Sequence, residues 1–230
     1  MLWLPRKLLN IGRSALRLFW LSKPKQRKHN KPYKYFDLAR KKMAQAKTLN
    51  EKELRKVLNY IALRKHAPRN RAMLLVTHWS GMRVGEVSAL RIGDVLAEDG
   101  SIKDEVRLSA DQTKGDKSRT VFLPEKLRKE LGSYISLIKT SDPSKPLFKT
   151  QKRDGFSANT LTQHFHYLYK KAGVYGASSH SGRRTFITEL ASKGVGVRVL
   201  MALAGHRNIS TTQAYIDLND GMKRRAVELI

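Results

Sequence analysis

Cysteine is absent from this chain of 230 residues, which excludes disulfides and thiolate metal sites. No apolar run reaches the roughly 18 positions that a bilayer-spanning helix needs, so no segment is expected to span a membrane. A Walker-type glycine-lysine loop is missing, as is a metal-ligand histidine pair. No metal and no other cofactor is therefore expected. Internal repeats are also lacking. The most telling shortage is of acids: 19 Asp and Glu face 46 Lys and Arg, a formal net charge of +27. That field is far beyond what solubility requires and favours a polyanion as partner. A hydrophobic fraction of 40% over this length can bury one substantial core, or one core with a small appendage.

The shortage of acids is most acute at the start. Between Arg6 and Lys42, Asp37 is the only acid, and the apolar residues Leu8, Leu9, Ile11, Leu16, Leu18, Phe19 and Trp20 are interspersed with Arg13 and Arg17. The arginines break the apolar stretch that a signal peptide needs and suit a basic amphipathic helix. Three readings stay open for this segment: a DNA-contacting arm, a protein or membrane-surface contact, and a poorly ordered leader. Residues 22–34, with Pro24, Pro32 and many lysines, read as a linker.

From Leu49 the pattern becomes globular. Asn50 three residues before Glu53 makes a capping box, with Leu49 and Leu54 as a hydrophobic staple. Leu54, Val57, Leu58, Ile61 and Ala62 then recur at helical spacing. An apolar, buried helix is expected over 69–79, ending at Ser80-Gly81, with Arg83 at the turn before the next helix. Val106 and Leu108, then Thr120, Val121 and Phe122, flank Lys114-Gly115-Asp116-Lys117, whose Gly-Asp centre marks a hairpin turn. Further helices are expected over 124–138, 157–171, 182–192, 197–204 and 211–215. The fold class is mainly α with one small antiparallel β-sheet.

The chemistry follows from charge. Attack on a phosphodiester builds negative charge on two non-bridging oxygens, and fixed donors aimed there lower the barrier. Arginine suits this because its planar fork grips both oxygens and keeps its proton. Arg83 is a candidate, with Glu86 one turn on to orient its guanidinium. His180 and Arg183, three apart, share one face of a helix start. His206 follows Gly205 at a helix stop, where a histidine commonly serves as a capping donor to the last carbonyls. Tyr215 alone reads as an ordinary aromatic; the set in this order points to a nucleophile with its phosphate-gripping partners.

Four stretches carry a resemblance: Ser80-Gly81-Met82-Arg83-Val84-Gly85-Glu86-Val87-Ser88-Ala89-Leu90; Thr113-Lys114-Gly115-Asp116-Lys117-Ser118-Arg119; His180-Ser181-Gly182-Arg183-Arg184-Thr185-Phe186; and Ala204-Gly205-His206-Arg207-Asn208-Ile209-Ser210-Thr211-Thr212-Gln213-Ala214-Tyr215. Over 49–217 the chain resembles the tyrosine recombinases, the integrase family of site-specific DNA recombinases. The resemblance implies that family's catalytic-domain fold and cutting and rejoining of double-stranded DNA at specific recombination sites. It implies that Tyr215 forms a 3′-phosphotyrosyl bond, that Arg83 and Arg183 hold the phosphate, that His180 and His206 assist, and that Lys114 protonates the leaving oxygen. Lys25, Arg27, Lys28, Arg40, Lys41, Lys42, Lys117, Arg119 and Arg207 are expected to contact DNA. A homotetramer on paired sites, accessory DNA-bending proteins and a cytoplasmic, nucleoid-associated setting in a prokaryote or virus follow from the same likeness.

The organisation expected is a basic arm and linker over 1–47, a catalytic domain over 48–218, and a tail over 219–230 that docks on a neighbouring protomer. The chain departs from the family in two places. Gly182 stands where a leucine is frequent, which is expected to loosen local packing. The 48 or so residues before the catalytic domain are too short for a separate four- or five-helix DNA-binding unit, so the chain resembles compact members such as the fimbrial DNA-inverting recombinases. Two other readings are a DNA-binding protein of this fold that no longer cuts and a basic RNA- or ribosome-associated protein.

Overall fold

The computed structural model describes residues 46–113, 117–140, 142–151, 154–216 and 220–228. The basic arm, the 22–34 linker and the tip of the hairpin turn lie outside these residues.

Helix α1, Glu51–Ala62, begins as its sequence signals dictate. The Asn50 side chain accepts the Glu53 N–H at 2.9 Å, and Glu53 in turn accepts the Asn50 N–H. Leu49 is buried, with Leu54 against the same core. The Leu49 N–H donates to Thr185 Oγ1 at 2.8 Å, which ties the start of the domain to a helix 136 residues away.

Helix α2, Ala67–Trp79, forms the centre, and every side chain from Ala72 to His78 is buried. Two short helices follow, α3 (Val84–Ala89) and α4 (Ile92–Val95). Strands β1 (Glu105–Leu108) and β2 (Arg119–Phe122) then pair antiparallel, Val106 opposite Val121 and Leu108 opposite Arg119. Val106, Leu108 and Val121 point into the core. Helices α5 (Glu125–Ile135), α6 (Ala158–Lys171), α7 (Ser181–Ser192), α8 (Val197–Ala204), α9 (Ile209–Gln213) and α10 (Asp220–Val227) complete the order. The described part is thus helical with one two-stranded sheet, the fold class expected from the pattern.

Differences from expectation are local. Helix α5 stops at Ile135 because the chain tightens: the Leu137 and Ile138 N–H groups bond three residues back, to Tyr134 and Ile135. Helix α9 ends at Gln213, so Tyr215 lies in the turn after it, with its N–H on the Thr212 carbonyl.

The loosening expected at Gly182 is overturned. Helix α7 crosses α2 so closely that a Cβ on Gly182 would sit 2.4 Å from Thr77 Oγ1 and 3.1 Å from the Thr77 carbonyl carbon. The missing side chain lets the two helices touch at backbone distance, and Arg183 is the next residue. Gly182→Leu is expected to force the helices apart, lowering unfolding free energy by at least about 1–3 kcal/mol. Urea unfolding with an unchanged midpoint would show that the crossing has room.

Candidate active site

Four segments converge on the C-terminal end of α8. Gly205 there adopts φ +60, the left-handed conformation that ends helices. The His206 N–H bonds the Met201 carbonyl and the Gly205 N–H bonds the Ala202 carbonyl, both at 3.0 Å, the paired bonds of a Schellman motif. The next three carbonyls receive side-chain donors from three remote arginines. Arg119 Nη1 donates to Leu203 O at 2.8 Å, Arg183 Nη2 to Ala204 O at 2.5 Å, and Arg83 Nη2 to Gly205 O at 2.8 Å. These carbonyls carry the negative end of the helix dipole, so they gather positive charge.

One carboxylate organises two of the three. Glu86 is 1% exposed and lies one turn after Arg83. Its Oε1 accepts from Arg83 Nη1 (2.8 Å) and Arg119 Nε (3.1 Å); its Oε2 accepts from the Arg83 backbone N–H and from Arg119 Nη2, both at 2.7 Å. Four donors fill the acceptor capacity of the group. Burial pushes its pKa up, but Arg119 first and then Arg83 outweigh this and hold it below the ordinary value of 4.5.

Arg183 is 4% exposed and reaches back to Gly81 O at 2.6 Å as well as to Ala204. Burial, and then the Arg83 charge, push its pKa down to about 9, so it stays protonated at neutral pH. Three guanidiniums against one carboxylate leave a local excess of positive charge, the condition under which an arriving anion is held.

His206 and Tyr215 close the site. Thr212, fully buried, holds His206 Nδ1 at 2.9 Å and thereby sets the ring plane. The His206 and Tyr215 rings stack with centroids 5.6 Å apart, and the Arg184 guanidinium carbon lies 5.5 Å from the tyrosine ring centroid. The Thr188 hydroxyl donates to the Tyr215 carbonyl at 3.3 Å. Burial, then Arg183, Arg83 and Arg119, push the His206 pKa down to about 4, so the imidazole is neutral at pH 7. Its Nδ1 meets the Thr212 hydroxyl, and the last carbonyls of α8 receive the arginines.

The structure therefore unites Arg83, Glu86, Arg183, His206 and Tyr215, residues separated by up to 132 positions in the chain. His180 is at the N-cap of α7, exposed, one turn from the buried Arg183. Lys117 and Arg207 are exposed, and the Lys117 carbonyl accepts the Thr113 hydroxyl at 2.7 Å. Lys114, Lys25, Arg27, Lys28, Arg40, Lys41 and Lys42 lie outside the described residues.

Arg119 departs from expectation. Its guanidinium is not displayed on a surface to meet DNA; the side chain is 12% exposed and committed to Glu86 and Leu203. The sequence carried no local sign of this, since the burial of Glu86 and the approach of Arg119 to it both come from the fold. The role of Thr212 was also unread, although it lies between His206 and Tyr215 in the chain.

This fold and this grouping define a class. Residues 47–222 match the Phage integrase family, and the chain belongs to it. It is similar to Tyrosine recombinase XerA of Pyrococcus furiosus, 30% identical over 185 residues that cover 79% of this chain and 61% of that protein. Tyrosine recombinase XerC of Lactobacillus leichmannii is 30% identical over 153 residues, 64% of this chain and 50% of the relative. Among solved structures, the XerA recombinase crystal structure superposes with a TM-score of 0.63 at 30% identity, covering 79% of this chain and 64% of that one. XerH site-specific recombinase bound to difH substrate, a pre-cleavage complex, gives 0.57 at 26% identity, over 78% of this chain and 53% of that one. The chain spans about half to three fifths of these curated relatives.

Histidine burial sets a pH dependence. His78 and His164, like His206, are pushed down to about 4, in both cases by burial first, then by Lys126 and Arg69 respectively. The unfolded chain takes up these protons near the ordinary value of 6.5, so as pH falls from about 6.5 to 4 the unfolded state gains protons that the native state lacks, and stability drops. His78, the most deeply buried, contributes a slope of up to about 1.4 kcal/mol per pH unit, and His164 and His206, which keep more contact with solvent, contribute less. Glu86 acts in the same direction: its contribution is complete above 4.5 and is lost as pH falls through its lowered native value. Unfolding free energies equal at pH 7 and pH 5 would contradict this electrostatic picture.

Proposed function

We propose that this protein is a site-specific DNA recombinase that cuts and rejoins strands through a covalent 3′-phosphotyrosyl intermediate. The observation that carries this reading is the trio of guanidiniums at the end of α8, beside a tyrosine stacked on a neutral histidine. Family membership supports it, as do relatives named tyrosine recombinases.

In this reading Arg83 and Arg183 grip the non-bridging oxygens of the scissile phosphate while the Tyr215 oxygen attacks phosphorus and its phenolic proton passes to His180. The 5′-oxygen departs and takes a proton from Lys114. His206, with Nδ1 on Thr212, donates through its other nitrogen to a phosphate oxygen, and His180 assists from the start of α7. A phenolate leaves more readily than an alkoxide, so the linkage conserves bond energy and the exchange reverses without ATP. A phosphodiester brings one negative charge to this excess of two cations, and the second develops in the transition state.

Double-stranded DNA is the partner this chemistry requires, and the charge of +27 agrees with it. The wider assignments belong to the same proposal: an arm and linker over 1–47 that contacts DNA through Lys25, Arg27, Lys28, Arg40, Lys41 and Lys42, a catalytic domain over 48–218, and a tail over 219–230 that joins protomers into a tetramer on paired sites. Further DNA contacts come from Lys117 and Arg207, with bending proteins assisting at a nucleoid location. No helix among the described residues is long and apolar enough to cross a membrane.

A DNA duplex nicked beside the cleavage position tests the chemistry, because the released fragment diffuses away and traps the adduct. Tyr215→Phe is expected to abolish the adduct while leaving binding intact; a covalent complex with the Phe variant would show that another residue attacks. Arg83→Ala or Arg183→Ala should slow trapping about a hundredfold or more. Replacing arm lysines should weaken binding to all DNA and reduce the log-log salt slope by roughly one unit for each phosphate that is no longer neutralised. An unchanged slope would take the arm out of the interface.

A further inference from the structure

Arg119 opens β2 shortly after the hairpin turn, yet its side chain bonds to segments outside the hairpin. Nε and Nη2 form a fork on the two oxygens of Glu86, at 3.1 and 2.7 Å, and Nη1 donates to the Leu203 carbonyl at 2.8 Å. Its aliphatic stem packs on Gly205: a Cβ at that glycine would lie 2.8 Å from Arg119 Cδ. The two groups that hold the Arg83 guanidinium are the Glu86 carboxylate and the Gly205 carbonyl. Arg119 braces both. With each oxygen of Glu86 engaged by Arg119, the carboxylate cannot rotate about its terminal bond, and Oε1 is offered to Arg83 in one orientation.

We infer that Arg119 is a positioning residue that fixes Arg83 in place by bracing Glu86 and the end of α8, and is not a DNA-phosphate contact. The inference rests on the recombinase reading and adds to it a member that touches no substrate. A bidentate fork plus a third donor is a geometry lysine cannot reproduce, because an ammonium is a point donor on a flexible stem. A displacement of about 1 Å at a reacting group costs on the order of a hundredfold in rate.

The nicked duplex separates the possibilities when wild type, Arg119→Ala and Arg119→Lys are compared for trapping rate at saturating DNA, for DNA affinity across salt concentrations, and for folded fraction by circular dichroism. The expected result is a trapping rate down about a hundredfold in the Ala variant and at least about tenfold in the Lys variant. Both should keep a near wild-type affinity and an unchanged salt slope. A slope reduced by about one unit with a normal rate at saturation would make Arg119 a phosphate contact and overturn the inference. So would a Lys variant as fast as wild type, since charge and stem alone would then suffice, or a rate loss no larger than the loss of folded protein. Should the Ala variant not fold, the Lys variant decides alone. A wild-type chain that traps no adduct overturns the recombinase reading and this inference with it, whereas a normal wild type beside a normal Lys variant overturns the inference only.

Discussion

A single buried carboxylate sets the geometry of this site. Glu86 takes two donors from Arg83 and two from Arg119, so its charge and its lone pairs are both accounted for. Removing one partner of such a buried arrangement costs on the order of 3–5 kcal/mol, because the remaining charge is left without compensation in a poorly solvated place. The same four bonds fix where α3 begins relative to β2. Local structure and site geometry are therefore one constraint here: the box that starts the helix also aims the guanidinium.

The end of α8 is the complementary constraint. A helix terminus ordinarily meets water or a cap of its own chain. Here the backbone turns at Gly205, and consecutive carbonyls are given to arginines from three other segments. Those bonds hold rotamer-rich side chains in place before any ligand arrives, which removes an ordering cost from binding. They also add to the burial that keeps His206 neutral, since the ring emerges among cations that oppose its protonation.

Much of this was legible in the sequence where the signals are local. The Asn50–Glu53 box, the period of α1, the glycine stop at 205 and the alternation of Val106 and Leu108 each depend on neighbours within a few residues, and each reads correctly. Residues Arg83, Arg183, His206 and Tyr215 stand out by their order and settings, and they do meet. What escaped depends on distant pairs. Nothing within a few residues of Arg119 reveals that its partners are 33 and 84 positions away. Gly182 shows the same limit in packing: absence of a side chain looks like slack until the crossing helix is seen, and then it proves to be close approach. The ends of α5 and α9 differ from expectation by a few residues because the last turns tighten to shorter hydrogen-bonded rings, a choice that apolar spacing does not encode.

Tyr215 is kept in position by its ring and its backbone: the His206 face, the nearby Arg184, and the bonds of its N–H and carbonyl to Thr212 and Thr188. None of these uses the phenolic oxygen. Phenylalanine satisfies every one of them, and the two codon sets differ by one base. On the recombinase reading, such an architecture stands one point mutation away from a silent occupant of its target sites, and a lineage carrying it would have a ready route from enzyme to competitive repressor without any change of shape.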